Sequence, residues 1–78
     1  MLADKIKQDE IKIGYNIRNI RETRNIGQTE LVRLLQIQGI DITRESLVKI
    51  ERGIQHIKAM QLRAIRDVLN TSYEELLK

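Results

Sequence analysis

Asp41-Ile-Thr-Arg-Glu-Ser-Leu-Val-Lys-Ile-Glu-Arg-Gly53 reads as a short helix written between a cap and a stop. The Thr43 hydroxyl can accept a hydrogen bond from a free amide of the first turn, and Gly53 can take the left-handed conformation that ends a helix. The helix between them is Arg44 to Arg52. At about 100° per residue, Arg44, Glu45, Val48, Lys49 and Arg52 share one arc, and Ser46, Leu47, Ile50 and Glu51 the opposite one. Such a helix buries Leu47 and Ile50 and holds out Arg44, Lys49 and Arg52. It suits an anionic surface, and a DNA major groove is wide enough to accept it. Taken alone, the pattern describes any amphipathic helix with a solvated polar face; the surrounding chain shifts the balance.

Seventy-eight residues make one domain, and a chain of this size buries only about 60–65% of its unfolded surface. There is no Cys, so neither a disulfide framework nor a thiolate zinc site can add stability. Pro is absent, Gly is sparse, and Ile, Leu, Arg, Lys, Glu and Gln dominate, which is an all-helical composition. No run approaches the about 18 apolar residues of a membrane span, and Met1 to Lys12 lacks the apolar region of a signal peptide. A cytoplasmic protein with no membrane partner is expected.

The net charge of +3 is unevenly placed. Residues 1–17 and 59–78 are each balanced, whereas 18–58 carry eight cations (Arg18, Arg21, Arg24, Arg33, Arg44, Lys49, Arg52, Lys58) against five anions (Glu22, Glu30, Asp41, Glu45, Glu51). The excess surrounds the quoted helix, as a nucleic-acid footprint requires, although a small excess of cations also serves solubility.

The remaining pattern gives four more helices. Residues 1–10 are polar and charge-balanced, an N-terminal arm or a helix extension, and 11–78 form the domain. Ile13, Ile17 and Ile20 recur at helical spacing from Ile11 through Arg24, and Asn25-Ile-Gly27 ends the run. Gly14, which costs up to about 1 kcal/mol relative to Ala inside a helix, marks a candidate start of helix 1 proper. Helix 2 begins near Gln28 and carries Leu31, Val32, Leu34 and Leu35, with Gly39 and Asp41 signalling a break before Thr43. After a linker Ile54-Gln-His-Ile57 and a poor cap at Lys58, helix 4 turns Met60, Leu62, Ile65 and Leu69 inward. Asn70-Thr71 closes it, and Ser72-Tyr-Glu-Glu75 is a capping box for a last helix ending in Leu76-Leu77.

Ile17-Arg-Asn-Ile-Arg21, Gln28-Thr-Glu-Leu31, Ser46-Leu-Val-Lys-Ile-Glu-Arg-Gly53 and Leu69-Asn-Thr-Ser-Tyr-Glu-Glu-Leu-Leu77 together resemble the Cro/CI-type helix-turn-helix family of phage and bacterial regulators, over about residues 11–77. The resemblance implies an all-α, five-helix, lambda-repressor-like DNA-binding domain. In that family helices 2 and 3 form the helix-turn-helix and helix 3 enters the major groove. It further implies that Arg44, Glu45 and Lys49 face base edges, that Gln28, Thr43 and Arg52 meet phosphates, and that Arg21 and Glu51 are an ion pair linking helices 1 and 3. Lys58 is then the cation left for a phosphate after helix 3. Base chemistry agrees in part: Arg and Lys can reach O6 and N7 of guanine, and Glu can accept from the cytosine amino group. Glu45 equally well steers Arg44 or stands solvated, and for Arg18 and Arg24 a solvated face competes with a phosphate contact.

Two departures stand out. Between Leu31 and Gly53 the chain holds about five residues more than the commonest family pattern, within Leu35 to Ile42. Ile54 occupies a place where a basic or polar residue is usual.

Catalysis has little to stand on: His56 is the sole histidine, without Cys or clustered carboxylates beside it in the sequence, and no nucleophile elbow, Walker loop or dinucleotide fingerprint occurs. No cofactor, metal or catalytic residue is expected. With only Tyr15 and Tyr73 as aromatics, stacking on single-stranded nucleic acid is disfavoured. The expectation is a double-stranded DNA-binding transcriptional regulator, a repressor, paired as a homodimer on a palindromic site. The competing class is a protein-interaction module of the same fold, such as an antitoxin, using the helix 3 face or Ile54, Ile57 and Met60 to hold a regulatory protein partner.

Overall fold

A computed structural model describes residues 12–78; the expected arm at residues 1–10 lies outside them. Five helices follow one another: α1 (Ile13–Thr23), α2 (Gln28–Ile37), α3 (Arg44–Glu51), α4 (Ala59–Val68) and α5 (Tyr73–Leu77), with no strand among the described residues. None of these helices is long and apolar enough to cross a membrane.

The helix ends are set locally. Four of the five close with a residue in the left-handed region, Asn25 (φ 58°), Gly39 (φ 84°), Gly53 (φ 79°) and Asn70 (φ 52°). In each case that residue's N–H and the next one return to carbonyls of the last turn: Gly53 N to Ile50 O and Ile54 N to Lys49 O, both 3.0 Å, are one such pair. This double return satisfies carbonyls that a helix end leaves free. At the other ends, Thr43 Oγ1 accepts from Ser46 N at 3.1 Å and Ser72 Oγ from Glu75 N at 3.1 Å. Lys58, whose ammonium has no acceptor, cannot cap α4. Gln61 Oε1 instead accepts from the Lys58 N–H at 2.9 Å, so the cap comes from within the helix.

The core is wholly aliphatic. Ile17 of α1, Leu31 and Leu35 of α2, Leu47 of α3, Ile65 of α4 with Leu69 just beyond it, and Leu76 of α5 are fully buried, while both tyrosines lie towards the surface. α1 packs on α3 and α5, and α2 on α3 and α4. Between Leu31 and Gly53, α2 runs on to Ile37 and residues 38–43 then cross to α3. Ile42 is buried there, Gln36 Nε2 donates to Ile42 O at 2.8 Å, and Gln61 Nε2 to Asp41 O at 3.1 Å.

Two expectations are corrected. Met60 does not face inward; it is 72% exposed, and the buried positions of α4 are Gln61, Ala64 and Ile65. Ile65 and Leu69 are buried and Leu62 half-buried, as expected; in the first turn the inward place on that stripe, four residues before Ile65, belongs to Gln61, which reaches both its own helix start and the Asp41 carbonyl. α3 ends at Glu51 rather than Arg52, which is the first residue beyond it. Gly14 stands one residue inside the start of α1 at Ile13, close to where the sequence places that start. It lies buried in the first turn of α1, and a Cβ there would collide with Ile50 O and stand 2.9 Å from Glu51 Cα. Glycine at this point lets α1 and the end of α3 touch backbone to backbone.

Candidate nucleic-acid interface

α3 is held from three sides. Its inner residues Leu47 and Ile50 enter the core, and its last residue, Glu51, is the hub of a polar junction. Arg21 Nε donates to Glu51 Oε2 at 2.8 Å and Arg21 Nη2 to Glu51 Oε1 at 2.9 Å, a bidentate pair from α1. Gln28 Nε2, at the first residue of α2, donates to the same Oε1 at 3.0 Å. Arg21 Nη1 spends a further donor on Ile26 O at 2.9 Å. The two charged side chains retain 8% and 2% of their surface. Paired geometry of this kind offsets the cost of removing both charges from water. The Arg21 guanidinium is held above its ordinary range, chiefly by the hydrogen bond to Glu51, which outweighs the effect of burial. A raised arginine pKa contributes stability that is lost only as pH climbs past it, so Arg21 stays charged throughout the neutral range.

The opposite face of α3 is open. Arg44, Glu45, Lys49 and Arg52 are exposed and Val48 is half-buried, and among the described residues none of these four charged groups is in an ion pair. Thr43 is exposed at the start of the helix, its hydroxyl oxygen already engaged as the cap. Beyond Gly53 the chain folds back, with Gln55 Nε2 donating to Ser46 Oγ at 2.6 Å. This leads to Lys58, exposed at the head of α4, and passes His56, which is also exposed.

Between α1, the head of α2 and α3 lies an open groove of ≈ 440 Å³ lined by Arg18, Arg21, Glu22, Gln28, Val48, Glu51 and Arg52. It brings Gln28 and Arg52 to the same groove. Gln28 is not a free arm, however. One proton of its amide is committed to Glu51, leaving the second amide proton and the backbone N–H at the head of α2 for any ligand.

The sequence does not single out Asn16 or Gln61, and it offers Gly14 only as a helix start. Gly14 sets the α1–α3 distance. Asn16 is buried and donates from Nδ2 to Leu76 O at 2.9 Å and Lys78 O at 3.1 Å, fastening α5 to α1. Gln61 fastens α4 to the α2–α3 crossing. Signals existed for two of them: Asn16 interrupts the apolar stripe of α1 at an inward position, and Gln61 occupies the third helical position where a capping box places Glu or Gln.

Compared with protein-family models, curated proteins and solved structures, the chain matches none.

Proposed function

We propose that this chain is a sequence-specific double-stranded DNA-binding transcriptional regulator of the Cro/CI helix-turn-helix type, in which α2, residues 38–43 and α3 are the helix-turn-helix. The observation that carries the reading is the contrast within α3. Its inner face is locked by Leu47, Ile50 and Glu51, while Arg44, Glu45 and Lys49, with Arg52 just past its end, stand in solvent on a rigid support. A reading helix needs both properties, since base contacts are selective only when the side chains are presented in fixed register.

In this reading Arg44 and Lys49 contact guanine edges, Glu45 accepts from cytosine, and Gln28, Thr43, Arg52 and Lys58 hold phosphates. One helix of this length spans few base pairs, so a homodimer on a palindromic operator supplies the remaining specificity.

Selection of duplexes from a random pool, followed by titration of the wild type, Arg44→Ala and Lys49→Ala, tests this. An enriched half-site, with Arg44→Ala losing about 1–3 kcal/mol and relaxing preference at one position, is the expected result. Absence of any enriched sequence, with both variants behaving as wild type, would overturn it. A second reading, a protein-interaction module, draws on Ile54 and Met60, which are 63% and 72% exposed. Under that reading Ile54→Ser with Met60→Ser abolishes partner binding while Arg44→Ala does not.

A further inference from the structure

The groove between α1 and α3 contains a pair of charges that the reading above does not use. Arg18 Nε donates to Glu22 Oε2 at 3.2 Å one turn along α1, and the two side chains keep 62% and 53% of their surface. Both line the groove, whose other members include Arg52 and the Gln28 head of α2. The charge inventory of the groove decides what it can take. Arg21 and Glu51 neutralise one another in a buried bidentate pair, and Arg18 and Glu22 pair loosely in solvent. Arg52 supplies the net positive charge.

We infer that the Arg18–Glu22 pair is an exchangeable counter-ion: Arg18 leaves Glu22 to bind a backbone phosphodiester seated in the groove, opposite Arg52. The inference rests on the DNA-binding reading and adds α1 to the surface that touches the duplex. An exposed i, i+4 ion pair is held weakly in water, whereas a phosphodiester offers a full charge and two non-bridging oxygens that a planar guanidinium fork can span with two bonds. Arg18 has four guanidinium protons free of its single Nε bond to Glu22, so it can engage the phosphate as it swings away from the carboxylate. Glu22 is then a competitor for the same guanidinium. It lowers affinity while keeping an otherwise unmatched arginine neutralised in the free protein.

The test uses the full chain and the duplex selected above. Arg18→Ala is expected to weaken binding roughly 3- to 10-fold and to reduce the slope of log affinity against log salt by about 0.9, one phosphate's worth. Replacing single phosphates by neutral methylphosphonates locates the partner: at one position the substitution weakens the wild type and leaves Arg18→Ala unaffected. Glu22→Gln is expected to tighten binding roughly two- to fivefold by removing the competitor. Both residues are exposed, so the variants fold, and a thermal melt checks that they do. If Arg18→Ala leaves affinity and slope unchanged while Arg44→Ala still relaxes base preference, the inference fails and the DNA reading stands. Weaker binding by Glu22→Gln would also overturn it, because Glu22 would then be a support for Arg18. If the wild type enriches no sequence, both fall.

Discussion

Glu45 and Glu51 lie on one short helix and carry the same charge, yet their surroundings are opposite. Glu51 is buried at 8% exposure with three donors on its carboxylate, from two helices. Glu45 stands in solvent in the first turn of α3. Burial decides what each charge can do. Inside, a carboxylate must be matched donor for donor, so Glu51 orients three helices and has nothing left for a ligand. Outside, water screens Glu45, so it contributes little to the fold and remains available to discriminate between surfaces.

The largest expected effect is at the inner end. Glu51→Ala leaves the Arg21 guanidinium buried without its partner and should cost about 3–5 kcal/mol of unfolding free energy, read by urea denaturation. Glu51→Gln, which keeps an acceptor for Arg21, should cost less. If Glu51→Ala cost under about 0.5 kcal/mol, as a surface change does, the inner and outer faces would not differ as described. Gly14→Ala comes next. Alanine gains up to about 1 kcal/mol in helix preference, but the added methyl meets the backbone of Ile50 and Glu51, so a net loss of about 1–3 kcal/mol is expected. A stabilised variant in a thermal melt would show that α1 and α3 do not approach so closely. The smallest effect is at the outer face, where Glu45→Gln should move stability by no more than about 0.5 kcal/mol. On a selected duplex it should alter preference at one base pair, and a Glu45→Gln protein with unchanged preference would remove Glu45 from the contacts.

Much of this architecture was legible before any coordinates. Thr43, Gly53, Asn25 and Asn70 mark their helix ends through chemistry that acts within a single turn, a hydroxyl for a free amide or a residue that tolerates positive φ. The apolar spacing of Leu31, Leu35, Leu47 and Ile65 predicts their burial because helical periodicity maps sequence onto a face. The family pattern pairs Arg21 with Glu51, and these two side chains do meet. Met60 is apolar but five residues before Ile65, off the buried stripe; the inward place in that turn belongs to polar Gln61, whose partners, the Lys58 N–H and the Asp41 carbonyl, supply what an apolar contact would. Gly14 read as a local weakness because its partner, the end of α3, is distant in sequence.

The sequence by itself determined that five helices follow one another and marked most of their ends to within a residue or two, since caps and positive-φ residues act within a few residues. Only the tertiary structure decided that Gln28 reaches the carboxylate joining α1 to α3, that Asn16 and Gln61 bind carbonyls of other segments, and that Arg18 and Arg52 face one groove. Those relations depend on how closely helices pack, and that distance is set by side-chain volume at a crossing, a property no single segment carries.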